Sequence, residues 1–166
     1  MKKLFIFGIG GLTGSKLAFI GKKDFEVFGS YNLRDPKLDF LKSVKLDIKD
    51  FLKVKEIISK IKPDVVINAC ALNNVDYCEN HQDEAQKVNV NFVEELKKIS
   101  RTENFKIVQL STDSVFDGTK KLDYVEKDMP NPMNIYGKTK LMGEEIVLED
   151  SQNIVIRASV LYGWIP

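Results

Sequence analysis

Gly8-Ile9-Gly10-Gly11-Leu12-Thr13-Gly14 follows directly on the apolar run Lys3–Phe7 and leads into the amphipathic stretch Leu12–Lys22. A buried strand, a glycine turn and a helix in that order form the first unit of a layered α/β fold. Gly8, Gly11 and Gly14 recur at every third residue, while Gly10 completes only a partial GxGxxG because Thr13 fills its last position. A Cβ at these glycines would obstruct the turn, the approach of a ligand or the packing of helix on strand. The free N–H groups at the start of the helix face outward, so the turn is read as a seat for a pyrophosphate, with Gly8, Gly10, Gly11, Leu12 and Gly14 as its contacts. A glycine turn without a ligand is the competing reading.

Working outward, short apolar runs recur at Phe25–Ser30, Val44–Asp47, Asp64–Asn68, Phe105–Leu110 and Asn153–Ala158. Helix-length amphipathic stretches, Asp50–Lys62, His81–Thr102 and Asn134–Glu149, lie between most of them. Asp50 is placed to cap the first of these and Pro63 to stop it. The alternation predicts a doubly wound parallel sheet of Rossmann type with helices on both faces. Asn32–Ser43, with Pro36 and scattered charges, reads as a loop. Ser111–Met133, with Gly118, Pro130 and Pro132, is the longest irregular stretch, and long loops in compact domains are often functional.

At 166 residues with 43% apolar content the chain fits one domain with a substantial core. Twenty-five Lys and Arg face 24 Asp and Glu, a net charge of +1, so no global field favours nucleic acid or an acidic membrane. Lys97-Lys98 and Lys120-Lys121 read as solvated faces. The Leu4–Phe7 run behind Lys2 and Lys3 is cut short by glycines before it reaches the length of a signal peptide. Cys70 and Cys78 lack CxxC spacing and His81 is the single histidine, which argues against zinc and for reduced core thiols in a cytoplasmic protein.

The end of the second strand reads Phe28-Gly29-Ser30-Tyr31-Asn32-Leu33-Arg34. In a dinucleotide-binding fold an acid there would accept from the ribose 2′-hydroxyl of NAD. Ser30 and Asn32 instead offer donors and Arg34 offers a cation, a set that favours NADP(H) over NAD(H).

Tyr136-Gly137-Lys138-Thr139-Lys140 opens the last long amphipathic stretch. Residues four apart lie little more than one turn apart at about 3.6 residues per turn, so the Tyr136 phenol and Lys140 ammonium share a helix face. A phenol is a poor acid–base group near neutrality unless a cation stabilises its anion, and Lys140 stands where it would do so. In hydride transfer to a carbonyl, Tyr136 would supply the proton while Lys140 holds the ribose. Thr112, just after the fifth strand, is the preferred additional hydroxyl, with Ser111 second. The bland alternative makes Tyr136 and Lys140 an ordinary surface pair.

Taken together these stretches resemble the extended short-chain dehydrogenase/reductase superfamily and, within it, the dTDP-4-dehydrorhamnose reductase family. The resemblance is carried by GxxGxxG at Gly8–Gly14, Leu46-Asp47, Val66-Ile67-Asn68-Ala69-Cys70-Ala71, Asn74-Val75-Asp76, Val88-Asn89, Ser111-Thr112-Asp113-Ser114-Val115-Phe116-Asp117-Gly118 and Tyr136-Gly137-Lys138-Thr139-Lys140. It implies a catalytic set of Thr112, Tyr136 and Lys140. It also implies that Asp47 and Ile48 lie by the adenine, that Ala69 and Ala71 line the cofactor cleft, and that Val160 lies near the nicotinamide. Ser114 and Val160 stand where that family usually carries a tyrosine and a tryptophan of the sugar pocket.

The resemblance implies an NADP(H)-dependent reductase of the keto group of a nucleotide-activated deoxysugar, or its cofactor domain. Resembling proteins continue into a smaller C-terminal substrate domain, largely absent from a chain ending at Pro166, and Tyr162, Trp164 and Ile165 are expected to need a covering partner or a homo-oligomer. A second expectation is a non-catalytic NADP-binding subunit like the regulatory beta subunit of methionine adenosyltransferase, which shares the YGKTKL run and the Leu161-Tyr162-Gly163 ending. A third is a nucleotide-sugar epimerase or dehydratase, disfavoured by the missing acid at Ser30–Asn32.

Overall fold

Alternating side chains along β1 (Lys2–Phe7) divide the molecule into two layers; a computed structural model describes residues 1–163. Phe5 and Phe7 enter one core with Val66, Phe92, Leu96 and Ile107, while Leu4 and Ile6 enter the other with Ile9, Ala18 and Val27. The Phe7 ring meets Phe5 at 4.7 Å and Phe92 edge-on at 5.1 Å, an arrangement aromatic quadrupoles favour.

In chain order β1 is followed by α1 (Leu12–Gly21), β2 (Phe25–Tyr31), β3 (Lys42–Lys45), α2 (Phe51–Ile61) and β4 (Val65–Asn68). Then come α3 (Val75–Asn80), α4 (Gln82–Gln86), a π-helical turn (Lys87–Asn91), α5 (Phe92–Glu103), β5 (Lys106–Thr112), a 3-10 turn (Asp113–Val115), α6 (Ile135–Leu148) and β6 (Ile154–Ala158). The strands form one parallel sheet in the order β3-β2-β1-β4-β5-β6. Residues of α1 pack in the core on one face, and residues of α2, α5 and α6 pack in the core on the other. This is the expected doubly wound sheet. Its strand order reverses between β1 and β4, and the crevice outside the carboxyl ends at such a reversal is where open α/β sheets take their ligands.

Three local expectations need correction. The third strand is Lys42–Lys45 rather than Val44–Asp47, because an edge strand pairs through its backbone and tolerates polar side chains; Asp47 then accepts from the Lys49 N–H at 3.0 Å and turns the chain. The single helix expected over His81–Thr102 is split by the π-helical turn, in which buried Asn89 bonds away from its own helix. The short helix α3 has no counterpart among the expected elements; the Asn74 side chain caps it by accepting from the Tyr77 N–H at 2.9 Å. Asp50 caps α2 as expected, accepting from Lys53 at 3.1 Å.

Candidate functional site

The glycine turn is held by the backbone of its neighbours. Gly8, at φ +87°, and Ile9 both donate to the Ser30 carbonyl at 3.0 Å, and Gly11 donates back to Gly8 at 3.1 Å. A Cβ on Gly14 would lie 2.2 Å from the Gly8 carbonyl oxygen, and one on Gly10 would lie 2.2 Å from that of Arg34. Gly11 is exposed, and a Cβ there would meet nothing nearer than 3.5 Å. These glycines serve different needs: Gly14 lets helix meet strand, Gly10 lets the β2–β3 loop lie over the turn, and Gly11 leaves the outer side open. No side chain caps α1 and its first turn, entered at half-buried Leu12, carries no acid. Its N–H groups therefore keep their capacity for an anion.

Around this turn, Ser30 is 1% exposed and its carbonyl is engaged as above, while Asn32 and Arg34 are exposed beyond it. Asp47 is exposed and Ile48 buried at the start of the segment leading to α2. The Ala69 carbonyl and the Cys70 sulfur border Gly8, and Ala69 and Ala71 are both half-buried beyond β4. Asn68 shapes that exit by accepting from the Cys70 N–H at 3.1 Å and donating to Gln109 at 2.9 Å. Val160 follows β6 and is exposed.

At the other end, Thr112 is the last residue of β5, with its hydroxyl 3.2 Å from both Asp113 Oδ1 and Ser114 Oγ. Tyr136 lies in the first turn of α6, whose cap Asn134 accepts from the Gly137 N–H at 2.7 Å. Gly137 is required because a Cβ there would lie 2.2 Å from the Ser114 carbonyl oxygen, so α6 sits directly on the chain leaving β5. Lys140 is 3% exposed and donates to the Leu110 carbonyl at 2.6 Å, two residues before Thr112. Thr112, Tyr136 and Lys140 thus meet where β5 abuts α6.

Electrostatics differ from the sequence expectation for Tyr136. Burial pushes its phenol above the usual value, the neighbouring Thr112 hydroxyl pulls it back, and Asp113 and Cys78 push it further up. Lys140 is engaged with Leu110 instead. Burial lowers Lys140 to about 8, against the raising influence of Glu144 and Cys70. Because the folded-state value lies below the ordinary 10.5, this group binds fewer protons folded than unfolded, so its contribution to stability rises with pH from about 8 towards 10.5. Cys70 is pushed up to about 12 by burial, with Lys140 opposing, which fits an inert thiol.

Several residues of this region carry no role in the sequence reading. Asn89 accepts from the Leu72 N–H at 2.9 Å and donates to the Leu72 carbonyl and the Thr139 hydroxyl, tying the segment after β4 to α6. Its sequence signals are its place in the resemblance as Val88-Asn89 and a polar amide inside the apolar-periodic run Val88-Asn89-Val90. Asp117 organises the irregular stretch after β5: backbone and hydroxyl of Thr119, the Asn131 amide and the Tyr124 hydroxyl all donate to it. The Thr119 backbone, Asn131 and Tyr124 hold its carboxyl well below the usual range. Among the described residues no group of three His, Cys, Asp or Glu could hold a metal, and no helix is long and apolar enough to cross a membrane. Trp164 and Ile165 lie outside the described residues.

Comparison with known proteins bears on this site. The profile of the RmlD substrate binding domain family matches residues 1–165. A dTDP-4-dehydrorhamnose reductase of Aggregatibacter actinomycetemcomitans is 37% identical over 166 residues, covering 98% of this chain and 53% of its own. The methionine adenosyltransferase 2 subunit beta of Bos taurus is 40% identical over 120 residues, covering 72% of this chain and 36% of its own. A crystal structure of dTDP-4-dehydrorhamnose reductase from Bacillus anthracis in complex with NADP superposes with a TM-score of 0.83 at 30% identity, over 98% of this chain and 55% of that one. The chain therefore spans about half the length of the reductases it matches.

Proposed function

Because the chain belongs to the RmlD substrate binding domain family, we propose that it is the cofactor-holding part of an NADP(H)-dependent reductase of the keto group of a nucleotide-activated deoxysugar. The observation that carries the reading is the gathering of Thr112, Tyr136 and Lys140 at the β5–α6 junction, at the same carboxyl end of the parallel strands as an uncapped helix start behind a glycine turn. The open outer side of Gly11 and the free first turn of α1 fit a pyrophosphate, with Gly8, Gly10, Leu12 and Gly14 shaping the seat. Ala69, Ala71, Asp47, Ile48 and Val160 fall to the adenine and nicotinamide ends, as the resemblance implies. When bound, a reduced nicotinamide supplies the hydride for carbonyl reduction.

The chain's own groups do the rest. Tyr136, kept protonated by its burial, donates a proton to the carbonyl oxygen as charge gathers there. The Thr112 hydroxyl shares that oxygen and orients the phenol. Lys140 in its charged form holds the ribose. NADPH affinity is accordingly expected to fall as pH rises through about 8, by about tenfold per unit for one required proton. Fluorescence titration of NADPH between pH 6 and about 10 measures this, with Lys140→Met as the reference that should bind weakly and without the pH step; a native affinity constant across that range contradicts the role of Lys140.

Ser30, Asn32 and Arg34 are assigned to the adenosine 2′-phosphate, with exposed Asn32 and Arg34 making the outer contacts. Arg34→Ala is expected to weaken NADPH about tenfold or more, since a charge-assisted hydrogen bond contributes ~1.5–3 kcal/mol, while NADH affinity stays at its native value. Equal losses for both cofactors would remove the NADP preference from this loop.

The 40% identity to the bovine beta subunit supports a second reading, a non-catalytic NADP-binding regulatory subunit. The two separate on one assay. NADPH oxidation with a 4-keto nucleotide-sugar favours the reductase; NADPH binding without turnover, together with a raised activity of an added methionine adenosyltransferase, favours the regulator.

A further inference from the structure

Glu144 is 1% exposed, and none of the steps above uses it. It lies one helical turn beyond Lys140 on α6, so the two side chains share a face. From there it grips two strands. Its carboxylate accepts from the Ser111 hydroxyl of β5 and takes the Arg157 guanidinium of β6 in a fork, with contacts of 2.6, 3.0 and 3.1 Å. Arg157 in turn lies over the Phe116 ring at 5.0 Å, and Phe116 stacks on Tyr124, whose hydroxyl donates to Asp117. Burying a charged pair is costly, and apolar residues of similar volume often serve stability as well. A role in stability alone therefore explains this cluster poorly.

Each segment it grips carries, close by, a residue of the site: Ser111 precedes Thr112, Lys140 lies one turn before Glu144, and Arg157 leads through Ala158 and Ser159 to Val160. We propose that Glu144 is a positioning residue that sets β5, α6 and β6 in one register, so that Thr112, Lys140 and the chain after β6 face a common ligand. The inference rests on the cofactor reading above for the identity of that ligand. Glu144 also bears on the charge of Lys140. The titratable and charged groups around that ammonium are Glu144 on α6 with its partner Arg157 from β6, Cys70 after β4 and Tyr136 one turn earlier; Glu144 is the ionised acid that favours the ammonium, while Cys70 stays a neutral thiol where Lys140 titrates.

The test compares the native chain, Glu144→Gln, and the apolar pair Glu144→Leu with Arg157→Met. The Lys140 ammonium is titrated by NMR on ε-carbon-labelled lysine, with Lys140→Arg to assign the signal, and NADPH binding is titrated at pH 9. Glu144→Gln is expected to lower the Lys140 midpoint by about one pH unit, as loss of a nearby opposite charge does. Its NADPH Kd at pH 9 is then expected to rise about tenfold. The apolar pair is expected to regain the native melting temperature and to keep the lowered midpoint, a separation that a purely structural role would not produce. A native midpoint in Glu144→Gln, or native NADPH affinity in the apolar pair, overturns the proposal. Should the native chain bind no NADPH, the cofactor reading fails by itself and the Lys140 midpoint alone decides the role of Glu144.

Discussion

Replacing Tyr136 with phenylalanine is expected to remove reduction while leaving NADPH affinity at its native value. The substitution deletes one hydroxyl from a half-buried ring and leaves α6, its Asn134 cap and the Lys140–Leu110 bond in place. A positioned general acid contributes about 10²–10⁴-fold to rate, so turnover should fall by that factor. Burial and the neighbouring Asp113 hold the phenol in its protonated form, which is the form an acid in the reductive direction needs. Thr112 remains in the variant and would still polarise the carbonyl, so a trace of activity is compatible with the mechanism. The measurement is NADPH oxidation with a 4-keto nucleotide-sugar, in the form of the polypeptide that turns over, beside an NADPH titration of the same variant. Oxidation at the native rate would remove Tyr136 from the chemistry. A parallel loss of NADPH affinity would instead recast it as a cofactor contact.

The sheet was legible because its signal is carried by composition and period. Six short apolar runs, most of them separated by amphipathic stretches, admit few arrangements other than parallel strands under helices, and the sheet is parallel throughout; the strand order itself is read from the structure. The edge strand β3 was misplaced by two residues at each end because its backbone pairing leaves little trace in side-chain hydropathy. The π-helical turn was hidden for a related reason. It changes which side chain points where by one residue, a detail that apolar periodicity over His81–Thr102 averages away. Within the site, Gly14 and Lys140 could be picked out since each belongs to a spaced pattern. The contacts of Asn89 and Glu144 could not, because their partners are distant in sequence: Asn89 meets Thr139, and Glu144 meets Ser111. Asp117 finds its partners within its own irregular stretch, where no period marks them. Contacts between elements become visible only when the elements are packed.

The glycine turn yields a prediction in which two of its glycines, each changed to alanine, should both weaken NADPH binding while only one of them disturbs the fold. A Cβ on Gly14 would stand 2.2 Å from the Gly8 carbonyl oxygen, 2.7 Å from the Gly8 carbonyl carbon and 2.9 Å from Ile9 Cα, all backbone atoms of the turn itself. None of these can swing aside as the end of a side chain would, so α1 must draw back from β1 or the turn must open. Forcing such a methyl into a packed interior costs about 1–3 kcal/mol. Gly14→Ala is therefore expected to lower the melting temperature by several degrees, on the order of 2–12 °C for a domain of this size, and to abolish NADPH binding. Gly11→Ala adds the same methyl on the open side, 3.5 Å from its nearest neighbour, and leaves folding undisturbed. Its melting temperature should match that of the native chain. Its NADPH affinity should nonetheless fall at least as far as a lost pyrophosphate hydrogen bond, roughly ten- to a hundredfold, because the methyl occupies the space the phosphates approach. Thermal denaturation and NADPH titration of the two variants separate packing from ligand approach. If Gly11→Ala bound NADPH like the native chain, the turn would be a fold element alone and the pyrophosphate would have to sit elsewhere.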